Sequence, residues 1–198
     1  FQQITGLGDA GEHTYLWQSP FTMHARILQA IRNETEKARA GEKAFIVAKM
    51  NALLEPRVIA ALYEASQAGV QIDLVIRAVC ALRPGLPAVS ENIRVRSILG
   101  RFLEHHRIFY FWNGGAEDVY LASADWMDRN FFRRIETGFP VLEPRLKKRV
   151  INEGIKPYLK DNAKAWEMQP DGSYKRRPRR GRAFEAQAFL LNLLTAKA

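Results

Sequence analysis

Cysteine is almost missing from this 198-residue chain: Cys80 stands alone. One cysteine forms no internal disulfide, and no Cys/His spacing suits a zinc site. A reducing compartment follows, and no metal ligands are expected within the chain. Long apolar runs are also missing. No stretch approaches the roughly 20 residues needed to span a bilayer, and the N-terminus lacks the basic-then-apolar layout of a secretory signal. The chain opens on Phe1 rather than Met, as a segment of a longer protein would. Acidic residues are the third shortage, 21 against 30 Lys and Arg, for a net charge of +9. That imbalance suits an anionic partner, or simply a basic solubilising surface. Hydrophobic residues at 47% and aromatics at 11% exclude a disordered chain and supply one good-sized core.

Among what is present, the richest stretch is residues 100–127. It reads as a strand over 108–112, a turn at Asn113-Gly114-Gly115 and a second strand over 119–123, the pattern of a β-hairpin. His105 and Arg107 enter the first strand at alternate positions, so both project from one side of an extended chain. Ser123, Asp125 and Trp126 leave the second strand, which the hairpin returns beside them. These donors and one imidazole form a small site suited to a phosphate.

Elsewhere the elements alternate. Gly6-Leu7-Gly8-Asp9-Ala10-Gly11 is formally a GxGxxG, but it runs into extended residues instead of opening a helix, so it reads as a loop. A helix capped by Ser19 or Thr22 should run to about Ala40 and stop at Gly41. A buried strand over 45–50 follows, then a helix after Pro56 that closes at Gly69, then a strand over 70–79. This βαβ unit predicts a parallel sheet with functional residues at the C-terminal strand ends. Lys49, Asn51 and Arg77 occupy such ends. A guanidinium there needs an anionic ligand or a carboxylate partner. Further strands are predicted over 93–97 and 133–139. A helix over 144–160 should turn Leu146, Val150, Ile151 and Ile155 inward, and a last helix covers 183–194. The six cations between Lys175 and Arg182 read first as a mobile connector, second as a sequence-independent polyanion holder.

With these residues in view, the chain resembles the C-terminal catalytic part of bacterial polyphosphate kinase, the large type that works through a phosphohistidine. The resemblance covers most of the chain. It rests on Ala48-Lys49-Met50-Asn51, Leu82-Arg83-Pro84-Gly85, Ser90-Glu91-Asn92-Ile93-Arg94, Arg101-Phe102-Leu103-Glu104-His105, Ser123-Ala124-Asp125-Trp126-Met127 and Trp166-Glu167-Met168-Gln169-Pro170-Asp171-Gly172. It implies an α/β fold, a phospholipase D-like mixed sheet flanked by helices. Residues 1–12 would be a linker from the preceding domain, 13–170 the domain itself, and 171–198 a basic connector with a C-terminal helix packed on it.

The resemblance further implies reversible transfer of the ATP terminal phosphate to inorganic polyphosphate, with Mg²⁺ accompanying the nucleotide. His105 would be the catalytic histidine of this half, and Arg77, His105 and Arg107 would bind ATP phosphates. Lys49, Asn51, Ser123 and Asp125 are possible contributors. The phosphorylated histidine would lie outside this chain, because His13 and His24 lack the His-x-Lys context. Ala78, Ala122 and Phe131-Phe132 depart from the family pattern, and His106 occupies a variable position. Expected partners are ATP or ADP, polyphosphate, the preceding domains and a second copy in a full-length homo-oligomer, but no nucleic acid. The expected location is cytoplasmic, with room for peripheral membrane association. Two other readings stay open: a polyanion-binding module without catalysis, and a phospholipase D-like phosphodiesterase. A lone His-x-Arg argues against the second.

Overall fold

The structure, a computed structural model, describes residues 13–178 and 181–196. The predicted linker 1–12 and the basic pair Arg179 and Arg180 lie outside the described residues. These form a nine-stranded mixed sheet in the order β1-β7-β6-β5-β2-β3-β4-β8-β9. The strands are β1 (Trp17–Ser19), β2 (Phe45–Met50), β3 (Gln71–Ile76), β4 (Ile93–Ile98), β5 (Arg107–Phe111), β6 (Asp118–Ala122), β7 (Glu136–Pro140), β8 (Ala165–Met168) and β9 (Tyr174–Arg176).

The predicted βαβ unit is present: β2 pairs β3 in parallel, and β3 pairs β4 in parallel. These three strands are apolar because helices cover both faces. On one face lie α1 (Met23–Arg39) and α2 (Pro56–Gln67). Met23, Ile27, Leu28 and Ile31 of α1 and Val58 and Leu62 of α2 meet Ile46, Ala48, Ile72, Leu74, Phe109 and Trp126 in one core. Glu55 caps α2 by accepting from Val58 N at 2.7 Å, and Pro56 follows where its missing N–H is harmless. α1 ends on Gly41, at φ 80°. The opposite face buries Val47, Ile108, Tyr110, Ile151 and Ile155, with a smaller cluster of Val75, Ile98, Tyr158 and Ala186 beside it.

Several predicted boundaries move. β3 stops at Ile76, which leaves Arg77 just beyond the strand. Residues 133–135 are not strand: the short helix α3 (Asp128–Phe132) comes first and sinks Phe131 into the core. The helix predicted over 144–160 is three pieces, α4 (Pro144–Arg149), a π-helical turn (Val150–Ile155) and α5 (Lys156–Lys160). Pro157 supplies no N–H, so regular pairing cannot continue through it. Leu146, expected inward, is exposed and lines an open apolar groove with Phe139 and Leu142. The basic run is partly folded rather than wholly a connector. Lys175 and Arg176 lie in β9, which a turn at Asp171 and Gly172 folds back onto β8. The last helix, α6 (Ala186–Thr195), starts three residues later than expected.

Candidate functional site

The hairpin register pairs Arg107 with Ala122 and Ile108 with Leu121, so the start of β5 meets the end of β6 as the sequence implied. β5 also runs antiparallel to β2, with Ile108 opposite Lys49. The C-terminal ends of β2, β3 and β6 and the start of β5 therefore share one edge. Beyond the strands the pairing continues in fragments. Ala78 N donates to Asn51 O at 2.9 Å, Leu53 N to Val79 O at 2.9 Å, and Trp126 N to Ala52 O at 3.2 Å. Three loops are thereby zipped into a rigid floor, with the Trp126 ring fully buried beneath it.

On that floor the predicted residues form one network. Arg77 Nε donates to Asn51 Oδ1 at 2.8 Å, and its Nη2 reaches the same oxygen. Asn51 N donates to Asp125 Oδ1 at 2.8 Å. Arg107 grips both oxygens of Asp125, through Nε at 3.1 Å and Nη2 at 3.2 Å, and its Nη1 donates to His105 O at 2.9 Å. A continuous hydrogen-bonded path thus links Arg77 to the backbone of His105. The His105 side chain is exposed and Arg77 half-buried, so both face solvent above the network. Of the two cations, Arg77 meets a neutral amide oxygen alone among the described residues, whereas Arg107 is spent on a carboxylate. Ser123 stays apart: its hydroxyl accepts from Thr137 N at 3.0 Å and donates to Glu136, tying β6 to β7.

Beneath the network is a second cluster, of which sequence reasoning named Lys49 as a possible contributor and gave Glu104, Tyr158 and Gln187 no site role. Lys49, only 2% exposed, places Nζ 2.9 Å from Glu104 Oε2 and 4.5 Å over the Tyr158 ring. Burial pulls the Lys49 ammonium below its ordinary pKa, and Glu104 opposes the shift. Burial alone would push Glu104 up, but the Lys49 hydrogen bond and charge, with the Gln187 amide, hold its carboxyl below the usual range. His106 lies against Tyr158, with Nδ1 3.9 Å from Glu104. Its side chain is 39% exposed, and partial burial first, then the Lys49 charge, push its pKa down to about 4. A signal for Glu104 existed: it is the one acid among Arg101, His105, His106 and Arg107. Nothing marked Gln187, which donates to Glu104 from α6.

His24 packs against the Phe131 and Phe132 rings with Nε2 3.1 Å from Glu55, and His13, the first described residue, is exposed, so neither shows a nucleophile's surroundings. Among the described residues no group of three or more His, Cys, Asp or Glu converges to hold a metal ion, and Asp125 is committed to Arg107 and Asn51. The described side chains therefore do not fit a resident Mg²⁺. No helix of the described residues is long and apolar enough to cross a membrane.

Comparison with known proteins gives the family and the fold. The polyphosphate kinase of Burkholderia cenocepacia is 67% identical over 179 residues, 89% of this chain and 26% of the relative. That of Paraburkholderia phytofirmans is 63% identical over 191 residues, 96% of this chain and 28% of the relative. The chain thus spans about a quarter of the length of these relatives. The crystal structure of polyphosphate kinase from Porphyromonas gingivalis superposes with a TM-score of 0.92 at 36% identity, covering 99% of this chain and 30% of that one. Nuc from Salmonella typhimurium, a phospholipase D family member, superposes at a TM-score of 0.50 and 16% identity over 69% of this chain and 88% of its own, which is a likeness of fold. The profile of polyphosphate kinase C-terminal domain 2 matches residues 16–187, a span that holds both the strand-end network and the Glu104 cluster, and the chain belongs to that family.

Proposed function

We propose that this domain is the nucleotide-phosphate half of a polyphosphate kinase active site. In this reading ATP gives its terminal phosphate reversibly to a histidine outside the chain and then to polyphosphate, and the domain holds the phosphates during transfer. The observation that carries it is the hydrogen-bonded path from Arg77 through Asn51, Asp125 and Arg107 to His105. Phosphoryl transfer depends on in-line positioning and on neutralising charge at the phosphate oxygens. Arg77 is suited to this because, among the described residues, only the Asn51 amide oxygen must be given up for a phosphate, and a guanidinium–phosphate hydrogen bond is charge-assisted. His105 would donate a hydrogen bond or proton to the same oxygens from an exposed ring. Arg107 acts first by fixing the His105 carbonyl. Lys49 is buried against Glu104, so its role is to hold the loop from below. Mg²⁺ would arrive bound to the nucleotide.

The same reading assigns ATP or ADP, polyphosphate and the preceding domains as partners, within a cytoplasmic homo-oligomer. Calorimetric titration of ATP into the protein tests it. Arg77→Ala and His105→Ala should each weaken binding at least tenfold, and wild-type affinity in both would overturn the reading.

A polyanion-holding role has one observation in its favour. Lys160, Lys164, Arg176 and Arg182 line a cavity of about 820 Å³ beside Phe184. Polyphosphate affinity that survives Arg77→Ala and His105→Ala, yet disappears when those four cations are neutralised, would favour this role over the first.

A further inference from the structure

The loop that carries His105 connects β4 to β5. Among the described residues, 100–106 make no backbone-to-backbone hydrogen bond to another segment. Side chains hold the loop instead, from two sides. Arg107 takes the His105 carbonyl on the side of the network. On the other side, Gln187 in the first turn of α6 does most of the holding. Its Oε1 accepts from Phe102 N at 3.0 Å, and its Nε2 donates to Phe102 O at 2.8 Å. The carboxamide thus satisfies both backbone groups of Phe102, as a neighbouring strand would. The same Nε2 donates to Glu104 Oε1 at 2.5 Å, while the other carboxylate oxygen takes Lys49. Only a primary amide offers two donors and an acceptor without charge.

Two further features make this contact specific. A Cβ on Gly100 would lie 2.3 Å from Gln187 Oε1, so a side chain at this position would push directly on the carboxamide. The start of α6 is itself fixed, because Asp161 Oδ2 accepts from Ala186 N at 2.8 Å while Oδ1 binds the Ala163, Lys164 and Ala165 amides at 3.0, 2.7 and 3.2 Å. Asp161 is fully buried and Gln187 nearly so.

We propose that Gln187 is a positioning residue for His105, acting through Phe102 and Glu104, and that the C-terminal helix is thereby part of the phosphate site. This rests on the reading that His105 meets nucleotide phosphates. The test uses the full-length protein that contains this chain and measures ATP-dependent polyphosphate synthesis together with thermal midpoints. Gln187→Leu should lower kcat/KM for ATP at least tenfold, since an ångström of misplacement costs a catalytic group that much or more. Gly100→Ala, which pushes on the same amide, should do likewise, and the double variant should be no worse than the more damaged single one. In a His105→Ala background, Gln187→Leu should have no further effect. An equal loss there, tracking a drop in thermal midpoint, would reduce Gln187 to a stability residue and overturn the proposal. Wild-type kinetics in both single variants, with His105→Ala impaired, would also overturn it and leave the phosphate-site reading standing. If His105→Ala is itself unimpaired, the underlying reading fails and the positioning role fails with it. Should Gln187→Leu not fold, Gly100→Ala with its His105→Ala partner decides the same question.

Discussion

Two ion pairs bracket His105, and they differ in what they can be asked to do. Glu104, one residue before it, reaches Lys49 on the α5 and α6 side of the sheet. Arg107, two residues after it, reaches Asp125 at the strand-end floor. The Lys49–Glu104 pair is sealed, with both side chains at 7% exposure or less, and its remaining oxygen goes to Gln187. The Arg107–Asp125 pair is bidentate, with the carboxylate at 3% exposure and the arginine side chain at 11%, so the arginine alone keeps an edge toward solvent. Halving either pair orphans a buried charge, and the cost is relieved where water reaches the group left behind, which the edge of Arg107 allows and the Lys49 site does not. The Lys49–Glu104 pair thus sets the loop's position, and the Arg107–Asp125 pair, at the strand-end floor, is the one that would affect binding in the proposed reading.

The largest effect that would sharpen this comparison comes from halving the sealed pair. Lys49→Met should cost about 3–5 kcal/mol in urea denaturation, and Lys49→Met with Glu104→Leu should recover much of that loss. If the single change costs under about 1 kcal/mol, the pair is not sealed in solution and the contrast disappears. Next in size, Arg107→Lys keeps the charge but loses the two-point grip on Asp125. It should destabilise by about 1–2 kcal/mol and weaken ATP binding in calorimetry, whereas Lys49→Arg should act chiefly on stability.

The smallest effect is in pH. His106 is held near pKa 4 in the fold, against an ordinary value of 6.5. Between those values the unfolded chain binds the extra proton, so this contribution is complete above about pH 6.5 and is lost as pH falls toward 4. His106→Phe should flatten the urea midpoint across that window. It should keep the steeper loss at lower pH, where Glu104 protonates and releases Lys49. An unchanged slope would place His106 in ordinary solvent.

Much of the fold was legible because it is written in local patterns. Apolar runs bounded by Asn51 and Gly69, helical spacing at Ile27, Leu28 and Ile31, and the Asn113-Gly114-Gly115 turn gave the βαβ unit and the hairpin. Their ends placed Arg77, His105, Arg107 and Asp125 together. The short strands β1, β8 and β9 were not legible, since a strand of three or four residues carries no period and exists only through its partner. The π-helical turn was hidden for a related reason. A Cβ on Gly154 would lie 2.3 Å from Ile108 Cδ1, a contact between segments that no helical pattern records.

The sequence by itself therefore determined the class of the fold and which cations and histidines gather at the strand ends, because both follow from spacing along the chain. Only the tertiary structure decided which of those cations are already spent. Arg107 and Lys49 are paired, and Arg77 rests on an amide. It also decided that a glutamine from the last helix grips the loop before His105. Such assignments turn on side chains far apart in sequence coming within about 3 Å, the range over which a hydrogen bond has any strength.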